Sequence, residues 1–262
     1  MKPGLLRFIL SLLGAIAPGL AARAAVTAFC TPRKSPAAKW ERIGIVLGKA
    51  SQLRLDGESL DATVWGYGPT VLLVHGWEGR RGQFARIALA LAEAGFRVVA
   101  FDGPAHGASA RTRTTLPEFS RAVERAAAQF GPLHAIVGHS YGAAAAAVAM
   151  RRGMRVERAV LIACPFSLRH VVRRYATRVG LSARSRKKMY PLMERLHRCP
   201  AEQLSFEAIG PDLAAPCLLI HDEAAPAVPF ADGERVARAI DGAELMRTQG
   251  LGHVRILRDE DV

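Results

Sequence analysis

Leu133-His134-Ala135-Ile136-Val137, then Gly138-His139-Ser140-Tyr141-Gly142, then the alanine-rich run Ala143 to Met150: these eighteen residues decide the reading of the chain. Leu133 to Val137 reads as a buried strand and Ala143 to Met150 as a helix. A serine between them in a G-x-S-x-G setting belongs on a sharp, strained turn that exposes its hydroxyl. Gly138 and Gly142 have no Cβ, so strand and helix can crowd together on either side of it. The alternative is a glycine-flanked serine on a surface loop, and the flanking strand and helix argue against it.

Outward from this stretch, strands and helices alternate. Ile43 to Leu47, Gln52 to Leu55 and Ala62 to Trp65 read as early antiparallel strands, with Asp56-Gly57 as a turn. Val71 to Val74 reads as a buried strand, followed by a helix over Gly82 to Ala94. Val98 to Phe101 precedes a helix over Pro117 to Phe130, with Pro117 suited to a first turn and Gly131-Pro132 as a stop. Arg158 to Ala163, Cys217 to Ile220 and Glu244 to Thr248 read as further strands, with a helix over Asp232 to Ile240. The alternation predicts an α/β fold with a mainly parallel, doubly wound sheet and helices on both faces. In such sheets a site lies at the carboxyl ends of the strands, where His75, Asp102, Ser140 and the loop before His253 all fall. Between Pro165 and Pro216 the pattern turns helical and basic, with Arg169, Arg173, Arg174, Arg178, Arg184, Arg186, Lys187 and Lys188. That run reads either as a solvated helix face or as a basic cap that attracts anionic ligands or lipid headgroups.

The strand ending in His75-Gly76-Trp77, the strand ending in Asp102-Gly103-Pro104-Ala105-His106-Gly107, the serine turn and Gly250-Leu251-Gly252-His253 together resemble the α/β-hydrolase superfamily, from about Gly66 to about His253. The resemblance implies Ser140 as nucleophile and His253 as its base. It implies the backbone N–H groups of Trp77 and Tyr141 as oxyanion donors, and a basic helical cap at about 165–216. It implies a small-molecule carboxylic ester as substrate, cleaved through an acyl-enzyme, with no metal or organic cofactor. The chemistry suits the residues: a serine hydroxyl needs a base to take its proton as it attacks, and an imidazole titrates near neutrality. The family's acid follows the strand ending at Ile220. Here that run is His221-Asp222-Glu223-Ala224-Ala225-Pro226-Ala227-Val228-Pro229, with Ala225 where the aspartate is expected. Asp222 and Glu223 stand earlier and are the candidate substitute acids, with Asp222 reading more as a structural residue at the strand end. The expectation is a hydrolase weakened by loss of the acid. The alternatives are a non-catalytic member that binds an acyl or lipid ligand at a membrane surface, and acyl transfer to an acceptor other than water. His139 reads as the variable neighbour of the serine, His75 and His106 as loop holders, His221 as a strand end, and His134, His170 and His197 as surface residues. The family usually continues past the histidine with a full helix, of which Val254 to Val262 supplies the start.

A chain of 262 residues, half of them hydrophobic, suits one α/β domain. The reading divides it into an apolar segment and linker over 1–36 and a hydrolase domain over 37–262. Cys30, Cys164, Cys199 and Cys217 form no metal-ligand spacing and no disulfide framework, which favours a reducing compartment and a cytoplasmic location. The net charge of +13 brings nucleic acid to mind, but no binding motif accompanies it, and charge alone does not carry that role. Anionic membrane surfaces and acidic substrates fit the charge equally. Leu5 to Phe29 is mostly apolar, with Lys2 and Arg7 early and Pro18-Gly19 interrupting. Three readings stand: peripheral attachment to a membrane surface, a signal peptide cleaved after Ala17 or Ala24, and a helix docked on the protein.

Overall fold

The computed structural model describes residues 3–260 and 262; Lys2 lies outside the described residues. Eight strands form one sheet: β1 (Lys49–Leu55), β2 (Glu58–Trp65), β3 (Thr70–Val74), β4 (Arg97–Phe101), β5 (Leu133–His139), β6 (Arg158–Ile162), β7 (Cys217–Asp222) and β8 (Glu244–Thr248). Their order is β1-β2-β4-β3-β5-β6-β7-β8. β1 and β2 pair antiparallel, as do β2 and β4. Every pairing from β4 through to β8 is parallel.

Helices follow in the order α1 (Pro3–Ile16), α2 (Pro18–Phe29), α3 (Lys39–Val46), α4 (Ala85–Glu93), α5 (Leu116–Phe130), α6 (Tyr141–Arg151), α7 (Leu168–Arg178), α8 (Ala183–His197), α9 (Phe206–Ile209), α10 (Phe230–Ala239) and α11 (Gly252–Arg255). The strand period of two sends alternate side chains to opposite faces. Leu72, Val74, Val99, Phe101 and Ile136 enter a core shared with α2, α5 and α6. Val71, Leu73, Val98, Ala100 and Val137 enter a second core with Phe84, Ala88, Ile256 and Leu257. The near-continuous apolar character of β3 follows, since all five of its residues are buried.

Thr115 caps α5, its hydroxyl accepting from Glu118 N while Glu118 reaches back to Thr115 N. Asp56 and Gly57 both take positive φ and turn β1 into β2. Ile43 to Leu47 is not a strand. Glu41 accepts from Ala38 N and starts α3, and the Gly44 carbonyl accepts from the Trp65 indole. A short apolar run does not distinguish strand from helix by periodicity, and here the cap decides.

The N-terminal segment is a helical hairpin docked on the body. Leu10 of α1 and Ala21, Ala22 and Ala25 of α2 are fully buried in the main core. Small side chains on α2 permit close approach to α8. A methyl group at Gly14 would lie 3.1 Å from Ser185 Oγ, so α1 also lies against the start of α8. No helix among the described residues is long and apolar enough to cross a membrane. Between β6 and β7 the chain forms α7, α8 and α9, which carry the basic run.

Candidate active site

The turn after β5 has the strain its sequence predicts. Ser140 adopts φ 53° and ψ −116°, a conformation that costs a non-glycine residue about 1–3 kcal/mol and persists only where the surroundings impose it. The surroundings are tight. A Cβ at Gly142 would lie 2.3 Å from Val74 O, and one at Gly138 2.6 Å from Ala143 Cα. Ser140 N donates to Ile162 O at 2.8 Å, tying the turn to the end of β6.

His253 begins the second turn of chain that matters. Its Nε2 lies 3.0 Å from Ser140 Oγ, although 113 residues separate them in sequence. Two contacts hold the His253 loop. Asp222, at the end of β7, accepts from Leu251 N at 2.9 Å and from Thr248 Oγ1 at 3.0 Å through one oxygen, and from Ala224 N at 3.0 Å through the other. Burial opposes its charge, but donors from Leu251, Gly252, Thr248 and Ala224 outweigh that and hold its pKa below the ordinary carboxylate value. His139 supplies the second contact: its Nε2 lies 2.7 Å from the His253 carbonyl oxygen and donates to it. Burial, reinforced by His253 beside it, pushes His139 down to about 3, so it is neutral.

The acid side of the site differs from a complete triad. His253 Nδ1 is buried and has no hydrogen-bond partner among the described residues. Asp222, a candidate substitute acid, spends its carboxylate on the loop rather than on the imidazole. Glu223, the other candidate, is exposed and accepts from Gln249 Nε2 at 3.1 Å. Ala225 is buried in the adjoining loop. Burial pushes His253 down to about 4, with His221 adding to the effect. No carboxylate among the described residues bonds Nδ1 to oppose that shift.

Tyr141 and Trp77 stand on the segments that adjoin Ser140. Tyr141 N is the first N–H of α6 and has no intrahelical acceptor. Trp77 follows Gly76, which lies against the serine turn: a methyl at Gly76 would be 3.1 Å from Ser140 Cβ. The Trp77 ring stands edge-on to Tyr141 and His106 and stacks on Phe29 with centroids 6.1 Å apart. Phe29 ends α2 and also meets Tyr175 of α7 at 5.0 Å. The N-terminal hairpin and α7 therefore meet over the loop that carries Trp77.

The remaining histidines are mostly structural. His75 Nδ1 donates to Gly76 O, and its Nε2 accepts from Gly103 N, both at 2.8 Å, joining the ends of β3 and β4. His106 Nδ1 donates to Pro104 O at 2.9 Å, and His221 Nε2 lies 3.0 Å from Val228 O. His197 is not at the surface. It is buried, with Nδ1 donating to Met193 O at 2.8 Å, because its helix face turns toward the core. Reading from sequence also missed His139. Its position, one residue before Ser140, is the signal that it faces the same loop.

The family model described as the alpha/beta hydrolase fold matches residues 69–252. No curated protein matches the sequence. Similar solved structures include a putative lipase from Acinetobacter baumannii, with 16% identity and a TM-score of 0.64, covering 87% of this chain and 94% of that one. A membrane phospholipase A described as a bacterial virulence factor has 19% identity and a TM-score of 0.64, covering 98% and 94%. A thioesterase domain from the curacin biosynthetic pathway has 21% identity and a TM-score of 0.62, covering 81% and 96%. At such identities these structures share the fold. With the family model spanning most of the chain, the protein belongs to the alpha/beta hydrolase fold family.

Proposed function

We propose that the protein is a serine hydrolase of carboxylic esters, slowed by the missing acid. The observation that carries this reading is the 3.0 Å approach of His253 Nε2 to Ser140 Oγ on a strained turn. In the reaction, Ser140 Oγ forms a bond to the ester carbonyl carbon as its proton passes to His253 Nε2. The carbonyl oxygen gains the negative charge, facing the N–H groups of Trp77 and Tyr141. The C–O bond then breaks, and His253 returns the proton to the departing alkoxide. Water repeats the sequence on the acyl-serine and regenerates the hydroxyl. The names of the structural neighbours, lipase, phospholipase and thioesterase, favour acyl substrates.

The bare Nδ1 sets the rate. To accept a proton at Nε2, His253 must carry its own proton on Nδ1, where no acceptor waits among the described residues. Leaving a buried donor unsatisfied costs about 1–3 kcal/mol. The other tautomer satisfies Ser140 but cannot take its proton. This same observation favours a second reading, a non-catalytic member that binds an acyl ligand. Turnover of p-nitrophenyl esters of graded chain length separates the two. The hydrolase reading predicts slow turnover that Ser140→Ala abolishes; turnover unaffected by Ser140→Ala, or none on any ester, contradicts it.

A further inference from the structure

We propose that the α1–α2 corner and the adjoining face of α8 form a docking surface for an anionic lipid bilayer. α1 is apolar on two faces. Leu10 points inward and is fully buried. Leu5, Phe8, Ile9, Leu12 and Ile16 recur at helical spacing on the opposite face, and they are exposed by 52%, 67%, 42%, 56% and 79%. Leu20, just past the corner, is 57% exposed. Scattered exposed apolar residues need no explanation, but a contiguous stripe on the order of several hundred Å² marks an interaction surface.

Charge names the occupant. At the same corner, Pro18 and Gly19 line a groove against α8 whose other walls include Arg23, Arg184, Lys187, Lys188 and Arg195. A methyl at Gly19 would lie 3.9 Å from Lys188 Cδ, and Gly19 stands between the exposed Ile16 and Leu20 in the chain, so the groove reaches the corner where the apolar stripe ends. All five cations are exposed. None forms an ion pair with a described residue, whereas Arg169, Arg174 and Arg235 nearby do. An apolar helix face that can sink into the acyl boundary, bordered by unpaired cations, matches a surface of anionic phospholipid headgroups over hydrocarbon. An apolar protein partner would leave the cations unused, and a soluble polyanion would leave the stripe uncovered. α2 then runs about 18 Å from this corner to Phe29 above the oxyanion loop, so docking would hold the site a fixed distance from the bilayer.

Flotation of the full chain with vesicles tests this. Phosphatidylcholine vesicles containing a third phosphatidylglycerol should carry the protein upward, and pure phosphatidylcholine should carry far less. Arg184→Gln, Lys187→Gln and Lys188→Gln should each weaken binding to the anionic vesicles about fivefold, with little effect on circular dichroism because all three side chains are exposed. Phe8→Glu with Leu12→Glu should abolish flotation, and Ser140→Ala should leave it unchanged, which keeps the result independent of catalysis. Equal binding to both vesicle types would overturn the proposal. So would Phe8→Glu/Leu12→Glu binding as wild type, capture of inositol hexakisphosphate without flotation, or a concentration-dependent dimer in light scattering that Leu12→Glu dissolves.

Discussion

Replacing Ala225 by aspartate should bring a carboxylate within reach of His253, if residue 225 holds the position of the family's acid. Ala224 N and Leu251 N bind the two oxygens of the Asp222 carboxylate at 3.0 and 2.9 Å. The segments carrying residues 225 and 253 are thus held together before any substitution. A carboxylate reaching His253 Nδ1 would anchor the productive tautomer and stabilise the imidazolium. A hydrogen bond to a charged group contributes about 1.5–3 kcal/mol, which corresponds to a gain of roughly 10- to 150-fold in kcat. The loss on removing the acid from a complete triad, about 10⁴-fold, sets the ceiling. The pH profile should move with the rate. Only neutral His253 can act as base, and burial holds it at about 4. The wild-type kcat/KM should therefore be full above that value and fall as pH drops through about 4. In Ala225→Asp the new carboxylate favours the charged imidazole, so the acid limb should rise toward the free value of about 6.5. The assay is p-nitrophenyl ester hydrolysis from pH 3.5 to 8, with Ala225→Asn as the uncharged control and near-ultraviolet circular dichroism as the check on folding. A folded Ala225→Asp protein with the rate and acid limb of the wild type would mean that a carboxylate at residue 225 does not serve His253.

Stability should fall with pH in a window set by buried histidines. His75, His106, His139 and His253 sit at about 4, 3, 3 and 4 in the folded protein, against about 6.5 unfolded. The unfolded chain therefore binds more protons below about 6.5, and native stability declines as pH drops from there, by at most about 1.4 kcal/mol per pH unit for each group. Urea midpoints that stay flat between pH 6.5 and 5 would contradict this. Arg81→Met leaves Asp102 buried without its ion partner and should cost about 3–5 kcal/mol in urea unfolding; a loss under 1 kcal/mol would mean the pair is dispensable. Gly142→Ala forces a methyl to 2.3 Å from Val74 O and should cost upward of about 3 kcal/mol, whereas Gly4→Ala, with nothing near its Cβ position, should melt with the wild type.

The sheet was legible because its parallel strands are buried on both faces and read as apolar runs, with β3 and β4 the clearest cases. The serine turn was legible because only a strained backbone needs small residues at both Gly138 and Gly142. Ile43 to Leu47 misled because five apolar-rich residues carry no period long enough to tell strand from helix, and the side chain of Glu41 settles it instead. A structural role for Asp222 was legible from its place at a strand end, but its partners were not: only the positions of Leu251 N and Ala224 N show which loop it holds. The role of His139 was hidden for the same reason, since its acceptor is a carbonyl 114 residues away. The N-terminal stretch read as apolar, but its two faces separate only once Leu10 is seen buried and Phe8 exposed.

The proposed pairing of Ser140 as nucleophile with His253 as base can be read by mass spectrometry after treatment with a fluorophosphonate, because phosphonylation needs the activated hydroxyl and no particular ester. One adduct per chain is expected, mapped to Ser140, forming far more slowly in His253→Ala and not at all in Ser140→Ala. Folded wild-type protein that stays unmodified, or that reacts at another residue while Ser140 remains free, would contradict it.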